Sequence, residues 1–252
     1  MKPSQLLVVN CNISESITRV IDSAARAAAS PSTEVVTLTP TWGVASAEGY
    51  LDGHLASVAM LDVVRRYEQP YDAVVLAGFG EPGREAFREL LDVPVVDITD
   101  AAAHLALMIA PRFGVVTSLP RAIVQIQDSL HAAGVAANCV GVRAADLPVL
   151  KVGKIEIGPA SPLVVEARKL LALGAETLVL GCAGLAGMDR ALSAYLDVPV
   201  VDPVAAGVAL AEALVRLGLH TSKACTYAAP REKLRPGWDT GLEKILAGKQ
   251  AP

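Results

Sequence analysis

The chain has 252 residues, 26 acidic against 22 basic side chains, a formal net charge of −4, and 52% hydrophobic but only 4% aromatic residues. A chain of this length can bury a large core, and its Ala, Val and Leu suit parallel strands covered by Ala-rich helices. The acidic balance with scattered Lys and Arg argues against nucleic acid as a partner, and the apolar run "LLVV" near the N-terminus is too short for a signal-peptide core or a membrane span, so a cytoplasmic location is expected.

Taken in order, the predicted elements alternate. "LLVVN" (6–10) reads as a strand, "SESITRVIDSAARAAA" (14–29) as a helix with Ser14 at its N-cap, and "TEVVTLT" (33–39) as a second strand. The segment 41–54 reads as loop, "VAMLDVVRRYEQ" (58–69) as helix and "AVVLAG" (73–78) as strand, followed by helix 83–91 and strand "VPVVDI" (93–98). The series then restarts with "FGVVTSLP" (113–120), "HAAGVAANCVGV" (131–142), "ETLVLGCAG" (176–184) and "VPVVDPVAAGVALAEAL" (198–214). Strand and helix in alternation imply parallel sheets.

The restart is a repeat. "DVPVVD" occurs at 92–97 and identically at 197–202, an offset of 105; "VVLAGFG" (74–80) lies over "LVLGCAG" (178–184) at 104, and "LLVVN" (6–10) over "FGVVT" (113–117) at 107. Three ordered matches at a near-constant offset indicate duplication. The expected fold is therefore α/β, two pseudo-symmetric units each with a four-stranded parallel sheet, and an active site in the cleft between them. The expected division is 1–100 plus 205–252 for the first unit and 101–204 for the second. In such units ligands sit beyond the carboxyl ends of strands, where loops lead into helices.

Four widely spaced cysteines, Cys11, Cys139, Cys182 and Cys225, form no CxxC pair, so neither a zinc site nor a disulfide framework is indicated. Only Cys182 stands in a distinctive setting, "GCAG" (181–184), at a strand end with small residues after it and a helix expected from about Asp189. Nearby helix N-terminal amides are expected to stabilise its thiolate and lower its pKa, and the glycines let a substrate approach backbone N–H groups. The repeat places Gly78 where Cys182 stands, so the first unit lacks the thiol.

The motifs "GFGEPG" (78–83), "VVTSLPR" (115–121), "LVLGCAGLAGM" (178–188), "VPVVDPVAAGVALAEALVRLGL" (198–219) and "TSKACTY" (221–227) resemble the aspartate/glutamate/hydantoin racemase superfamily, most of all its hydantoin and allantoin racemases. The resemblance implies two pseudo-symmetric α/β units and no metal or organic cofactor. It also implies two cysteines facing the two sides of a substrate α-carbon. The second maps onto Cys182 and the first onto Gly78.

Three accounts of that glycine stay open: a racemase sequence with one cysteine replaced; another group, Cys11 in "VNCNIS", acting on the Gly78 face; or a single-cysteine enzyme resembling arylmalonate decarboxylases, whose Thr-Ser pair after the glycine is here Phe79-Gly80. A binding protein without chemistry is the rival of another class. The candidate substrate is a small carbon acid, a hydantoin or ureide, its enolate held by amides around Gly78, Phe79 and Gly80 and around Cys182, Ala183 and Gly184, with Thr117 and Ser118. Asn10 and Asn12 are candidate binders of a substrate carbonyl. Glu48 beside Gly49 reads as ordering a loop, Glu81 as a helix-start charge, His104 as a core histidine, and Arg121 as either an anion contact or solvated surface. A homo-oligomer is expected from the resemblance.

Overall fold

The computed structural model describes residues 3–150, 155–231 and 233; most of the polar tail 229–252 lies outside them. The first half contains β1 (Ser4–Asn10), α1 (Glu15–Ala28), β2 (Thr33–Leu38), α2 (Tyr50–Arg66), β3 (Ala73–Ala77), α3 (Arg84–Leu90), β4 (Val95–Asp97) and α4 (Ile98–Ile109). The second contains β5 (Phe113–Thr117), α5 (Ile123–Ala132), β6 (Cys139–Ala144), α6 (Pro162–Ala172), β7 (Thr177–Leu180), α7 (Asp189–Leu196), β8 (Val200–Val201) and α8 (Pro203–Arg216). The strands form two four-stranded sheets with the same order, β2-β1-β3-β4 and β6-β5-β7-β8. Every pairing is parallel, so the duplicated α/β reading holds at the level of topology.

The strands are apolar on both faces because both faces are covered. In β1, Leu6 and Val8 enter a core lying between the two sheets, while Leu7 and Val9 enter an outer core with Met60 and Val64 of α2 and Phe87 of α3. In the second half Val115 and Val179 face the same central core, and Leu178 and Leu180 pack outward against Leu163 and Leu170 of α6. The helix that closes each half leans toward the other half: α4 packs on β7, and α8 packs on β3 and β4 as well as on α1 and α4. An ideal Cβ on Gly207 of α8 would fall 2.8 Å from Val75 Cγ1, so this helix approaches β3 more closely than a side chain permits.

The identical hexapeptides have a common physical reason. Asp97 caps α4 by accepting from the amides of Thr99 and Asp100, and Asp202 caps α8 by accepting from Val204 and Ala205. Pro203 comes next, at the first helical position, where its missing N–H goes unused. Because Asp97 already caps a helix, β4 ends there rather than at residue 98 as expected.

Other boundaries also differ. Helix α2 begins at Tyr50, so part of the expected 41–54 loop is helical. The stretch 131–142 holds the end of α5, a turn and the start of β6. Ser14 occupies the N-cap position of α1, but its side chain makes no capping bond; its hydroxyl lies 2.9 Å from that of Ser16. Among the described residues, no helix is long and apolar enough to cross a membrane.

Candidate active site

Neighbouring strands deliver the site. β1 and β3 pair with Asn10 opposite Ala77, so Cys11 and Gly78 leave the first sheet side by side. β5 and β7 pair likewise, with Val116 opposite Leu180, and they lead into Ser118 and Cys182. These four positions line one pocket between the carboxyl edges of the two sheets, together with Asn10, Asn12, Phe79, Thr117, Ala183 and Gly184.

The candidate residues play different parts in building it. Asn10 donates to Asn12 Oδ1 at 3.2 Å, to the Ser14 carbonyl at 3.3 Å and to Thr18 Oγ1 at 3.0 Å, while its Oδ1 accepts from the Asn12 amide at 3.2 Å. Its amide therefore shapes the loop that carries Cys11. Asn12 Oδ1 accepts from the Ser14 amide at 2.9 Å, and its Nδ2 points at Cys11 Sγ, 4.0 Å away. Thr117, buried, donates its hydroxyl hydrogen to the Gly181 carbonyl at 2.7 Å. It ties β5 to the residue before Cys182. Gly80 stands behind the wall: its amide donates to Thr99 Oγ1 at 2.8 Å and its carbonyl accepts from Gln125 Nε2 at 3.4 Å. The Gly80 amide is thus committed elsewhere and does not serve an enolate, contrary to the sequence expectation.

The electrostatics of Cys182 also correct the sequence reading. The residues after it make a single 3₁₀ turn, Ala183–Leu185, and the next α-helix begins only at Asp189. Burial pushes the Cys182 thiol up; hydrogen bonds from the Gly184 amide, the Ser118 hydroxyl and the Leu185 amide oppose the shift without overcoming it. Burial raises Cys11 to about 12, with the neighbouring Cys182 adding repulsion. Cys11 is therefore within electrostatic reach of Cys182, and burial disfavours the thiolate at both positions.

Of the residues weighed outside the two loops, Glu48 and Gly49 line the pocket. Glu48 also orders its own loop, accepting from Ser46 Oγ at 2.7 Å while its amide donates to Asp52 at 3.1 Å. Arg121 is exposed and lies over Gly49, its Nη2 2.9 Å from where a Cβ would be. Glu81, at a positive φ of 50°, pairs with the buried Arg84 at 2.5 Å, which fits a structural charge at the start of α3. His104 is not a core residue: its side chain is 43% exposed and its Nδ1 lies 2.8 Å from Asp100 Oδ1. Cys139 donates to the Gly141 carbonyl at 3.3 Å, and Cys225 is exposed; neither lines the pocket.

Sequence reasoning missed Gln125, Pro82, Ile17 and Val149 as pocket residues. Gln125 had a signal, a polar side chain between Ala122 and Ile126 on a face that is otherwise apolar. Among the described residues, the lining contains the carboxylate of Glu48 and no Lys, Arg or His.

Known proteins share this sequence pattern and fold. Residues 6–211 match the family model described as Asp/Glu/Hydantoin racemase. A hydantoin racemase of Paenarthrobacter aurescens is 38% identical over 232 residues, 91% of this chain and 98% of its own length. The crystal structure of an allantoin racemase from Pseudomonas fluorescens superposes with a TM-score of 0.87 at 46% identity, covering 92% of this chain and 100% of that one. An allantoin racemase from Klebsiella pneumoniae superposes with a TM-score of 0.88 at 39% identity, covering 95% and 98% of the two chains. The chain belongs to the Asp/Glu/hydantoin racemase family of enzymes.

Proposed function

We propose that the protein racemises a neutral cyclic ureide, a 5-substituted hydantoin or allantoin, by proton transfer at the carbon next to the ring carbonyl. The observation that carries this reading is the charge of the pocket. A cysteine whose thiol is buried, lining a pocket between two α/β sheets, suits proton transfer at carbon, and a wall with one carboxylate and no cationic side chain among the described residues suits an uncharged substrate. An amino dicarboxylate or a malonate brings carboxylates, which such a wall does not pair with a cationic side chain. A hydantoin or allantoin brings N–H donors that Glu48 and the loop carbonyls can accept.

In this reading the Cys182 thiolate takes the ring C–H proton, and the electron pair of that bond moves into the adjacent carbonyl to give an enolate. Candidate donors to the enolate oxygen are the loop amides at 78–79 and 182–183. Return of the proton to the same face regenerates the substrate; delivery from the opposite face gives its mirror image. The Gly78 gap would suit one-sided protonation after loss of carbon dioxide, but the absence of a cation in the described lining disfavours a malonate.

The test is incubation of single enantiomers of 5-substituted hydantoins and of allantoin in heavy water, with NMR and chiral chromatography as the readouts. Exchange with inversion, abolished by Cys182→Ser, is the expected result. Absence of exchange for every compound overturns the reading, and exchange with strict retention would favour a one-sided decarboxylase.

A further inference from the structure

Inversion at a carbon requires an acid–base group on each face of the enolate. The second unit supplies Cys182, whose repeat counterpart, Gly78, has no side chain. The structure shows what occupies that space. An ideal Cβ on Gly78 would fall 2.5 Å from Pro82 Cγ and 2.9 Å from Cys11 Cβ, so the Pro82 ring and the Cβ of Cys11 fill that space, and the thiol-bearing residue beside Gly78 in the pocket lining is Cys11, which follows the adjacent strand.

The repeat makes the relationship systematic. At the β1/β5 offset of 107, Cys11 corresponds to Ser118; at the β3/β7 offset of 104, Gly78 corresponds to Cys182. In the second sheet Ser118 and Cys182 are hydrogen-bonded neighbours. The first sheet presents the same two adjacent positions with the sulfur on the other strand. Adjacent strands lie roughly 4.8 Å apart, so this exchange moves the thiol by about one strand spacing and leaves it lining the same pocket as Cys182. Asn12 Nδ2, 4.0 Å from Cys11 Sγ, and the loop held by Asn10 fix its position.

We infer that Cys11 is the second catalytic thiol, serving the substrate face that Gly78 leaves bare. The inference rests on the racemase reading proposed for this site. For one enantiomer the Cys182 thiolate removes the ring proton, the electron pair enters the carbonyl, and the Cys11 S–H bond breaks to place its proton on the opposite face. The products are the inverted ring, a Cys182 thiol and a Cys11 thiolate. For the other enantiomer the two thiols exchange roles.

The experiment compares wild type, Cys11→Ser and Cys182→Ser on both enantiomers of a 5-substituted hydantoin in heavy water, with circular dichroism to confirm folding. The expected result is that each variant racemises at least about 100-fold more slowly than wild type. Each variant also keeps exchange with retention for one enantiomer only, the opposite one in the two variants. Wild-type racemisation rates in Cys11→Ser, with Cys182→Ser inactive, overturn the assignment of Cys11 and leave the racemase reading standing. Loss of exchange from both enantiomers in a folded Cys11→Ser also overturns it, because a bare positioning role would account for that. A wild type that exchanges no compound overturns the racemase reading and, with it, this assignment.

Discussion

The hydroxyl of Thr117 donates to the carbonyl of Gly181 at 2.7 Å, joining the ends of two adjacent strands one residue before Cys182. Replacement by the isosteric valine leaves that buried carbonyl without its partner, at a cost of about 1–3 kcal/mol. Thr117→Val should therefore lower the urea midpoint measurably, whereas Thr117→Ser, which keeps the donor, should stay close to wild type. Equal stability of the two variants would show that the bond contributes nothing to the strand junction.

In the proposed mechanism the raised thiols set the sign of the pH dependence of activity. A group that acts as base only when ionised, and whose pKa burial lifts above the ordinary thiol value, yields a rate that climbs with pH. kcat/KM should rise about tenfold per pH unit between about pH 6 and 8, without a plateau in that range. A plateau below about pH 7 would mean that a group other than a buried thiol is the base.

Glu81 gives a separate pH signature, in stability. Burial pushes its carboxyl up to about 7 although Arg84 pulls it down, with Asp97 and Glu85 adding repulsion. Its folded pKa lies above the unfolded value of 4.5, so the folded state holds the proton more tightly; the associated stability is present below pH 4.5 and is lost as pH rises toward 7. Glu81→Gln should thus be more stable than wild type by roughly 1–3 kcal/mol at about pH 8 and equal to it near about pH 4. Thermal unfolding at the two pH values checks both halves of the statement.

In the proposed reading, charge selection falls to Glu48. A hydantoin whose side chain ends in a carboxylate should show a KM at least about tenfold above that of a neutral analogue of similar size, a difference of about 1.4 kcal/mol. In Glu48→Gln the gap should narrow, with the neutral compound affected less. An unchanged ratio would place the origin of the selectivity outside this residue.

Much of the fold was legible because duplication leaves its mark in order and spacing: the twin "DVPVVD" stretches are twin helix caps at Asp97 and Asp202. The start of α2 was not legible. Gly49 and Gly53 read as loop residues, yet Gly53 sits inside the helix, where a Cβ would lie 3.3 Å from Gln125 Nε2, and that close approach is tertiary. The position of Cys182 at a strand end could be read from local pattern, but its pKa could not, since burial in the pocket outweighs the amides of its own turn. The adjacency of Cys11 and Gly78 depends on β3 lying beside β1, although β2 comes between them in the chain.

The central layer decides how a molecule gets in. Val8 and Val75 of one sheet and Val115 and Val179 of the other share one continuous core with α4 and α8. Swinging the halves apart like a clamshell would tear that layer open to water. The stretch 41–49 forms no helix or strand and carries Ala47, Glu48 and Gly49 to the pocket wall, so lifting it breaks only a few hydrogen bonds. The wall at 47–49 is thus the part of the pocket least tied to the central core, and the sheets are the part most tied to it.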